Sequence, residues 1–230
     1  MRTGILHGHI VMDLRPSATK RPARKAKTLR VKKGLQEMAD FYTGINGFSA
    51  STIGGNKSST YGEISLAGIQ PLADTFKRFA PLTGFDKTRR NFIDLGSGIG
   101  KAVIGIAMLV PEIQSNGIES VYERHEMALS ARKKIQTNSL ANRIHFRHGN
   151  FLEPPYVFKS ACWIFVSNLS FSDELQATLA KRLEAECAPK TLIVCSKEMP
   201  LAAPFECLDR GIIIPMSWSA TSSCYVYRKA

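Results

Sequence analysis

No run in this 230-residue chain approaches the eighteen or so uninterrupted apolar residues of a membrane-spanning helix, and its first residues carry no secretory h-region. The five cysteines (Cys162, Cys187, Cys195, Cys207 and Cys224) form no C-x-x-C pair and no metal-ligand spacing. Three of them sit in apolar runs, as small buried residues do. The five histidines, His7, His9, His125, His145 and His148, show no arrangement of a general base or a metal site. No glycine-rich run ends in Gly-Lys-Ser or Gly-Lys-Thr, which removes a Walker loop, and no internal repeat is present. These absences point to a soluble protein of a reducing, intracellular compartment. They point away from disulfide scaffolds and metal-dependent chemistry.

Acidic residues are scarce in one place. Residues 1–33 hold ten Lys or Arg against a single acid, Asp13, so they supply +9 of the formal +12. "RPSATKRPARKAKTLRVKK" (15–33) reads as a basic, proline-containing, non-periodic arm, disordered when alone. Clustered cations release counterions from a phosphate backbone, so nucleic acid ranks first as its partner. A nuclear address, a solvating tail and an Arg-rich, acid-poor mitochondrial presequence are the other readings.

What the chain does have is "FIDLGSGIGKAVIGIA" (92–107). Phe92, Ile93 and Leu95 read as a short buried strand, and Ile99, Val103, Ile104 and Ala107 fall at helical spacing. Gly96, Gly98 and Gly100 therefore form a strand-to-helix turn, which lets a ligand approach the backbone. The turn reads G-x-G-x-G with Lys101 where the dinucleotide fingerprint has its third glycine, which argues against NAD. "SNGIES" (115–120) reads as the next strand, and Glu119 at its end lies 25 positions after Asp94, close to the offset of about 20 at which a carboxylate meets a ribose. This D-x-G-x-G-x-G turn followed by an acidic strand end resembles the class I methyltransferases that use S-adenosylmethionine.

The alternation of strands and helices continues. "IHFRHG" (144–149), "ACWIFVSN" (161–168) and "TLIVCSK" (191–197) read as strands. "VYERHEMALSARKKIQTN" (121–138) and "DELQATLAKRLEAE" (173–186) read as helices. The pattern predicts an α/β fold, a doubly wound, mostly parallel seven-stranded sheet. "GIIIPMSWS" (211–219) and "SCYVYRK" (223–229) close it as an antiparallel C-terminal hairpin. The expected organisation is an arm at 1–33, a linker with a short helix around "LQEMADFY" at 34–60, and a catalytic domain at 61–230.

Five pieces sharpen the resemblance: "TYGEIS" (60–65), "DLGSGIGK" (94–101), "GNFLEPP" (149–155), "IFVSNLSF" (164–171) and "SWSATSSCYVY" (217–227). In this order they resemble the disruptor-of-telomeric-silencing class of histone lysine methyltransferases, which lack a SET domain. The resemblance covers roughly residues 55–228. It implies S-adenosylmethionine as cofactor, a nucleus-located chromatin enzyme, and a lysine in the globular part of histone H-three, presented on a nucleosome, as substrate. Nucleosomal DNA would then be the partner of the arm at 15–33.

Residue by residue, the resemblance implies that Tyr61 and Glu63 belong to a loop over the cofactor. Asp94, Gly96, Gly98, Gly100 and Lys101 would meet its methionine half, Glu119 its ribose, and Asn150 and Phe151 its adenine. Phe171, Trp218 and Tyr225 would wall the lysine channel, and the carbonyl of Asn168 would orient the amine. The chain departs from the family where Ile64 replaces a hydroxyl residue, Lys101 a glutamine and Asn150 an aspartate. Lys101 is expected to point away from the sulfonium or to pair with an acid. A methyltransferase acting on RNA or DNA, and an inactive chromatin-binding protein of the same fold, are the alternative functions.

Overall fold

The computed structural model describes residues 34, 36–50 and 61–230. The basic arm, Thr60 and the rest of 51–60 lie outside the described residues. A short helix α1 (36–41) and a 3-10 turn (Gly47–Ser49) precede the sheet. Then follow α2 (Leu66–Phe79), β1 (Asn91–Leu95), α3 (Lys101–Leu109), β2 (Gln114–Glu119), α4 (Tyr122–Lys133), α5 (Asn138–Ala141) and β3 (Ile144–His148). β4 (Ala161–Val166), α6 (Asp173–Glu186), β5 (Leu192–Cys195), β6 (Phe205–Ile213) and β7 (Ser223–Lys229) complete the chain. The seven strands lie in the order β3-β2-β1-β4-β5-β7-β6, and β7 runs antiparallel to both its neighbours. The α/β sheet with its antiparallel C-terminal hairpin is the one expected.

The sheet is buried on both faces at its centre, where every residue of β4 is buried. This is why the central strands are apolar runs and do not alternate. On one face Phe76 of α2 stacks on Trp163 of β4 at 5.0 Å, and the indole N–H donates to Ala80 O at 2.8 Å. On the other face Leu179 and Leu183 of α6 pack with Ile164, Val166 and Ile193.

Two elements exceed what the pattern foretells. α2 is one, because Pro71 in its middle reads as a breaker. Ser65 caps the helix by accepting from Gly68 N, and burial of Ile69, Leu72, Ala73 and Phe76 holds it in spite of the proline. The other is β6, which starts six residues before the expected 211. Glu206, Asp209 and Arg210 hide it because it is an exposed edge strand with irregular register on either side of Asp209. The 34–60 linker is also corrected in part: Met38, Phe41 and Tyr42 of residues 36–50 are buried in the same core as Ile69 and Phe92.

Candidate functional site

The site is built at the carboxyl ends of β1, β2 and β4, where open α/β sheets gather ligands. Gly96, Gly98 and Gly100 all take positive φ (81°, 53° and 86°), which bends the chain from β1 into α3. The amides of Gly96 and Ser97 both donate to Ile118 O, tying the turn to β2. Glu119 tightens it further: one carboxylate oxygen accepts from Gly98 N at 2.7 Å and the other from Val121 N at 2.8 Å. Glu119 is buried, so this carboxylate holds the turn's shape, and only its remaining lone pairs are left for a ribose. Glu119→Ala is expected to weaken S-adenosylmethionine binding by about 1.5–3 kcal/mol and to lower fold stability by about 1–3 kcal/mol through the two amides left unpaired. Calorimetry and denaturant unfolding read the two effects separately.

Asp94 lies at the floor, buried, with no hydrogen-bond donor among the described residues reaching its carboxylate. Burial, and then the negative charge of Glu119, push its carboxyl well above the usual carboxylate range. The buried hydroxyls of Tyr42 and Ser97 are likewise without hydrogen-bond partners. Unpaired buried polar groups are costly, and their gathering around a glycine turn is the arrangement of a site for a polar ligand.

Tyr61 covers this floor. Its hydroxyl donates to Glu63 Oε2 at 2.6 Å, and a Cβ on Gly98 would lie 2.6 Å from that hydroxyl. Burial and the adjacent Glu63 carboxylate raise the phenol far above its ordinary value, so Tyr61 stays a donor and does not serve as a base. The Arg124 guanidinium stacks 4.0 Å from the Tyr61 ring centroid while donating to Gly47 O, and Phe48 meets the ring edge-on at 5.0 Å. The other oxygen of Glu63 takes the ammonium of Lys101 at 2.5 Å. Lys101 thus pairs with an acid, as expected. Beneath Tyr61 the cavity is narrow, about 10 Å³ and lined by residues that include Glu63, Asp94, Gly96, Gly98 and Lys101. Arg124, Phe48 and Tyr42 are contributors the sequence does not single out; Arg124 sits in a helix whose polar sequence reads as solvated.

Residues 63–65 are strapped to the C-terminal segment. Ser217 N donates to Glu63 O, Glu63 N to Ser217 Oγ, and Ser65 N to Pro215 O. Trp218 lies on Gly62, where a Cβ would come within 2.5 Å of the indole. Outside the strap opens a cleft of about 340 Å³ lined by Tyr61, Gly62, Ser167, Leu169, Ser170 and Trp218. It shares Tyr61, Gly62 and Ser167 with the inner cavity. These three residues form a wall common to the two cavities.

Two expected roles are corrected. Asn168 is fully buried, and its carbonyl accepts from Lys197 N at 2.8 Å and from Ser196 Oγ, while its amide donates to Gln176 and to Lys197 O. It does not line the cleft; it joins the ends of β4 and β5. Asn168→Ala is therefore expected to cost about 1–3 kcal/mol of stability by orphaning Lys197 N, seen in a denaturant midpoint, with cofactor affinity changed by no more than a few fold. Tyr225 is half-buried on β7, two strands from β4, and packs in the core on the α6 face. Asn150 is exposed beside Phe151 and closes its own turn, its carbonyl accepting from Leu152 N and its amide donating to Glu153, which leaves the carbonyl one lone pair. Phe151 is buried and stacks on Phe171 at 5.9 Å; Phe171 in turn lies 3.8 Å from where a Cβ on Gly96 would stand. The aromatic pair thus borders the turn.

Sheet order and glycine turn define the class I methyltransferase fold. Solved structures similar to the chain include the Salinibacter ruber RNA methyltransferase in complex with S-adenosyl-L-homocysteine (24% identity over 70% of this chain and 90% of that one, TM-score 0.48). The mitomycin 7-O-methyltransferase MmcR (14%, 71% and 54%, TM-score 0.47) and the N,N-8-amino-8-demethyl-D-riboflavin dimethyltransferase RosA of Streptomyces davawensis (20%, 70% and 54%, TM-score 0.46) are further ones. The chain spans little more than half the length of the latter two. Compared by sequence with curated proteins, it has no significant match. The family model for the histone methylation protein DOT1 matches residues 56–204, more than half of the chain. The chain belongs to this DOT1 histone methylation family, and it is a methyltransferase whose methyl donor is S-adenosylmethionine.

Proposed function

We propose that the protein methylates the ε-amine of a lysine in the globular region of histone H-three on an intact nucleosome. It would do so in the nucleus, with the arm at 15–33 held against nucleosomal DNA. The observation that carries this reading is the membership of the DOT1 histone methylation family over residues 56–204, joined to a cleft that shares Tyr61, Gly62 and Ser167 with the cavity at the glycine turn.

The donor supplies an electrophilic methyl group on a sulfonium. Everything else asked of the protein is position, desolvation and proton release. Asp94 and the glycine turn take the methionine half, and Glu119 turns its remaining lone pairs to the ribose. Trp218, Leu169 and Tyr61 present apolar surface to the lysine stem, with Phe171 at the turn behind them. Moving a lysine from its ordinary pKa of about 10.4 toward neutrality takes about 4 to 5 kcal/mol of desolvation and charge interaction. Among the described residues, the cleft lining carries no carboxylate that would hold the ammonium form. Among the described residues its lining holds no histidine, and Tyr61 stays protonated, so solvent is the proton acceptor proposed for the amine.

Labelled S-adenosylmethionine offered with nucleosomes, free histones and RNA side by side tests the reading. Label is expected in histone H-three of nucleosomes. Label in RNA alone would favour the nucleic-acid alternative and overturn this one.

A further inference from the structure

Outside the arm, the positive charge of the chain is gathered in one place. Residues 127–152 hold Arg132, Lys133, Lys134, Arg143 and Arg147 and no Asp or Glu, a formal +5, whereas residues 34–230 as a whole carry +3. The rest of 34–230 is therefore net negative. The fold turns this stretch into one border of the molecule: the end of α4, then α5, then β3, which pairs only with β2 and so forms an edge of the sheet. Lys133, Lys134 and Arg147 are exposed there. None of the five cations forms an ion pair among the described residues. Arg132 donates to Ala141 O, Arg143 to the carbonyls of Ser139, Val110 and Ile113, and Lys134 to Thr43 O, all uncharged acceptors that leave the charge in place. Glu112 is the acid that acts on Arg143. Partial desolvation, then the charges of Arg132 on α4 and Arg147 on β3, push the His145 imidazole below its ordinary value, so cations of two elements converge on this border. Charge on an edge strand also guards it against pairing with another chain, but that needs no single sign. The opposite edge, β6, is guarded by both signs, with Arg210 paired to Glu198 and Glu206 to Arg228.

We propose that this border, the end of α4 and the exposed edge of β3, is a second surface for the phosphate backbone of duplex DNA, continuous with the arm. The proposal rests on the reading that the protein works on nucleosomes. The covalent path joins border and arm: α1 (36–41) starts three residues after the arm ends, and Thr43, two residues past α1, accepts from Lys134 Nζ at 2.8 Å. Lys33, the last residue of the arm, is thus ten residues of chain from a contact with the border. Both stretches carry cations with almost no acid among them. A duplex is an unbroken line of like charges, so one backbone can run from the arm onto the border. Exposed lysine and arginine without carboxylate partners suit such a ligand, which is held by charge and not by base sequence. The border would also fix the direction in which the arm leads the duplex away from the fold.

The test is binding of the full chain to a duplex of random sequence, read by fluorescence anisotropy between about 50 and 200 mM salt. The double variant Lys133→Gln, Arg147→Gln removes two exposed cations of the border. The control Lys159→Gln, Lys181→Gln removes two exposed cations elsewhere, before β4 and on α6, and changes the net charge equally. The border variant is expected to bind at least about fivefold more weakly and to flatten the slope of log affinity against log salt by about 1.8, two contacts at about 0.9 each, while the control stays within about twofold of wild type. Equal losses in the two variants would overturn the proposal, because net charge alone would then be at work. So would an unchanged border variant when wild type binds DNA with a steep salt slope; the arm would then be the DNA contact by itself. Wild type that binds no DNA would overturn the proposal together with the DNA part of the nucleosome reading. A border variant that keeps its affinity for free duplex but loses affinity for nucleosomes would overturn it too, and would put an acidic histone surface on the border. If the double variant does not fold, Arg147→Gln alone is expected to flatten the slope by about 0.9, and an unchanged slope overturns the proposal equally.

Discussion

Asp94→Asn is expected to make the cofactor-free protein more stable at neutral pH while removing most of its affinity for S-adenosylmethionine. Both effects follow from one buried, unpaired carboxylate. In the unfolded chain this group titrates near the ordinary aspartate value of about 3.9; in the fold, burial and the charge of Glu119 raise it well above that. Between the two values the folded state binds more protons than the unfolded one, so stability falls as pH rises. The contribution is fully present below the unfolded pKa and is lost through the folded pKa. Asparagine does not titrate, so the variant's denaturant midpoint should vary less over that window and exceed the wild type's at its upper end. Binding runs the other way: the α-ammonium needs the carboxylate, and a neutral amide in its place should weaken affinity by about tenfold to a hundredfold, the range of a charged hydrogen bond. Wild-type affinity should rise with pH as Asp94 ionises. A variant that is less stable than wild type across the whole range, with unchanged cofactor affinity, would show that Asp94 is a structural group.

Deletion of residues 1–33 is expected to lower nucleosome affinity many-fold and to flatten its dependence on salt, leaving S-adenosylmethionine binding as it was. The deleted segment carries +9 of the chain's +12. Each phosphate contact it makes contributes about 0.9 to the slope of log affinity against log salt, so the loss of several contacts is directly countable. Methyl transfer to nucleosomes should fall because the complex is less populated, and raising the enzyme concentration should recover part of it. If the truncated protein keeps both affinity and slope, the arm is a targeting signal and the DNA contacts lie on the folded domain.

Much of the frame is legible in the sequence because it is written in local chemistry. The glycines at 96, 98 and 100 have the positive φ that their spacing foretells. The helix expected over 173–186 and the strand expected over 223–229 are α6 and β7 as observed. What is not legible depends on partners distant in sequence. The amide of Asn168 stands at a strand end from which it can face a ligand or the fold, and only the return of the chain at Lys197, 29 residues on, decides for the fold. Tyr225 has an aromatic ring on the right edge of the sheet but two strands from the cleft. The pairing of Lys101 with an acid is foreseeable from its charge. That the acid is Glu63, which also holds Tyr61 over Gly98, follows from the strap between residues 63–65 and 215–217. Arg124 shows the same limit: a charged residue in a polar helix gives no sign that it stacks on Tyr61.

The central claim is that this cleft delivers a methyl group to a histone lysine on the nucleosome. The most direct measurement is mass spectrometric mapping of nucleosomes treated with the full chain and S-adenosylmethionine, with the Glu119→Ala variant alongside. A methyl mass increment is expected on the ε-amine of a lysine in the globular region of histone H-three, strongly diminished for the variant. Nucleosomes that stay unmodified while another acceptor takes the methyl group, or a modification equally abundant with the variant, would contradict it.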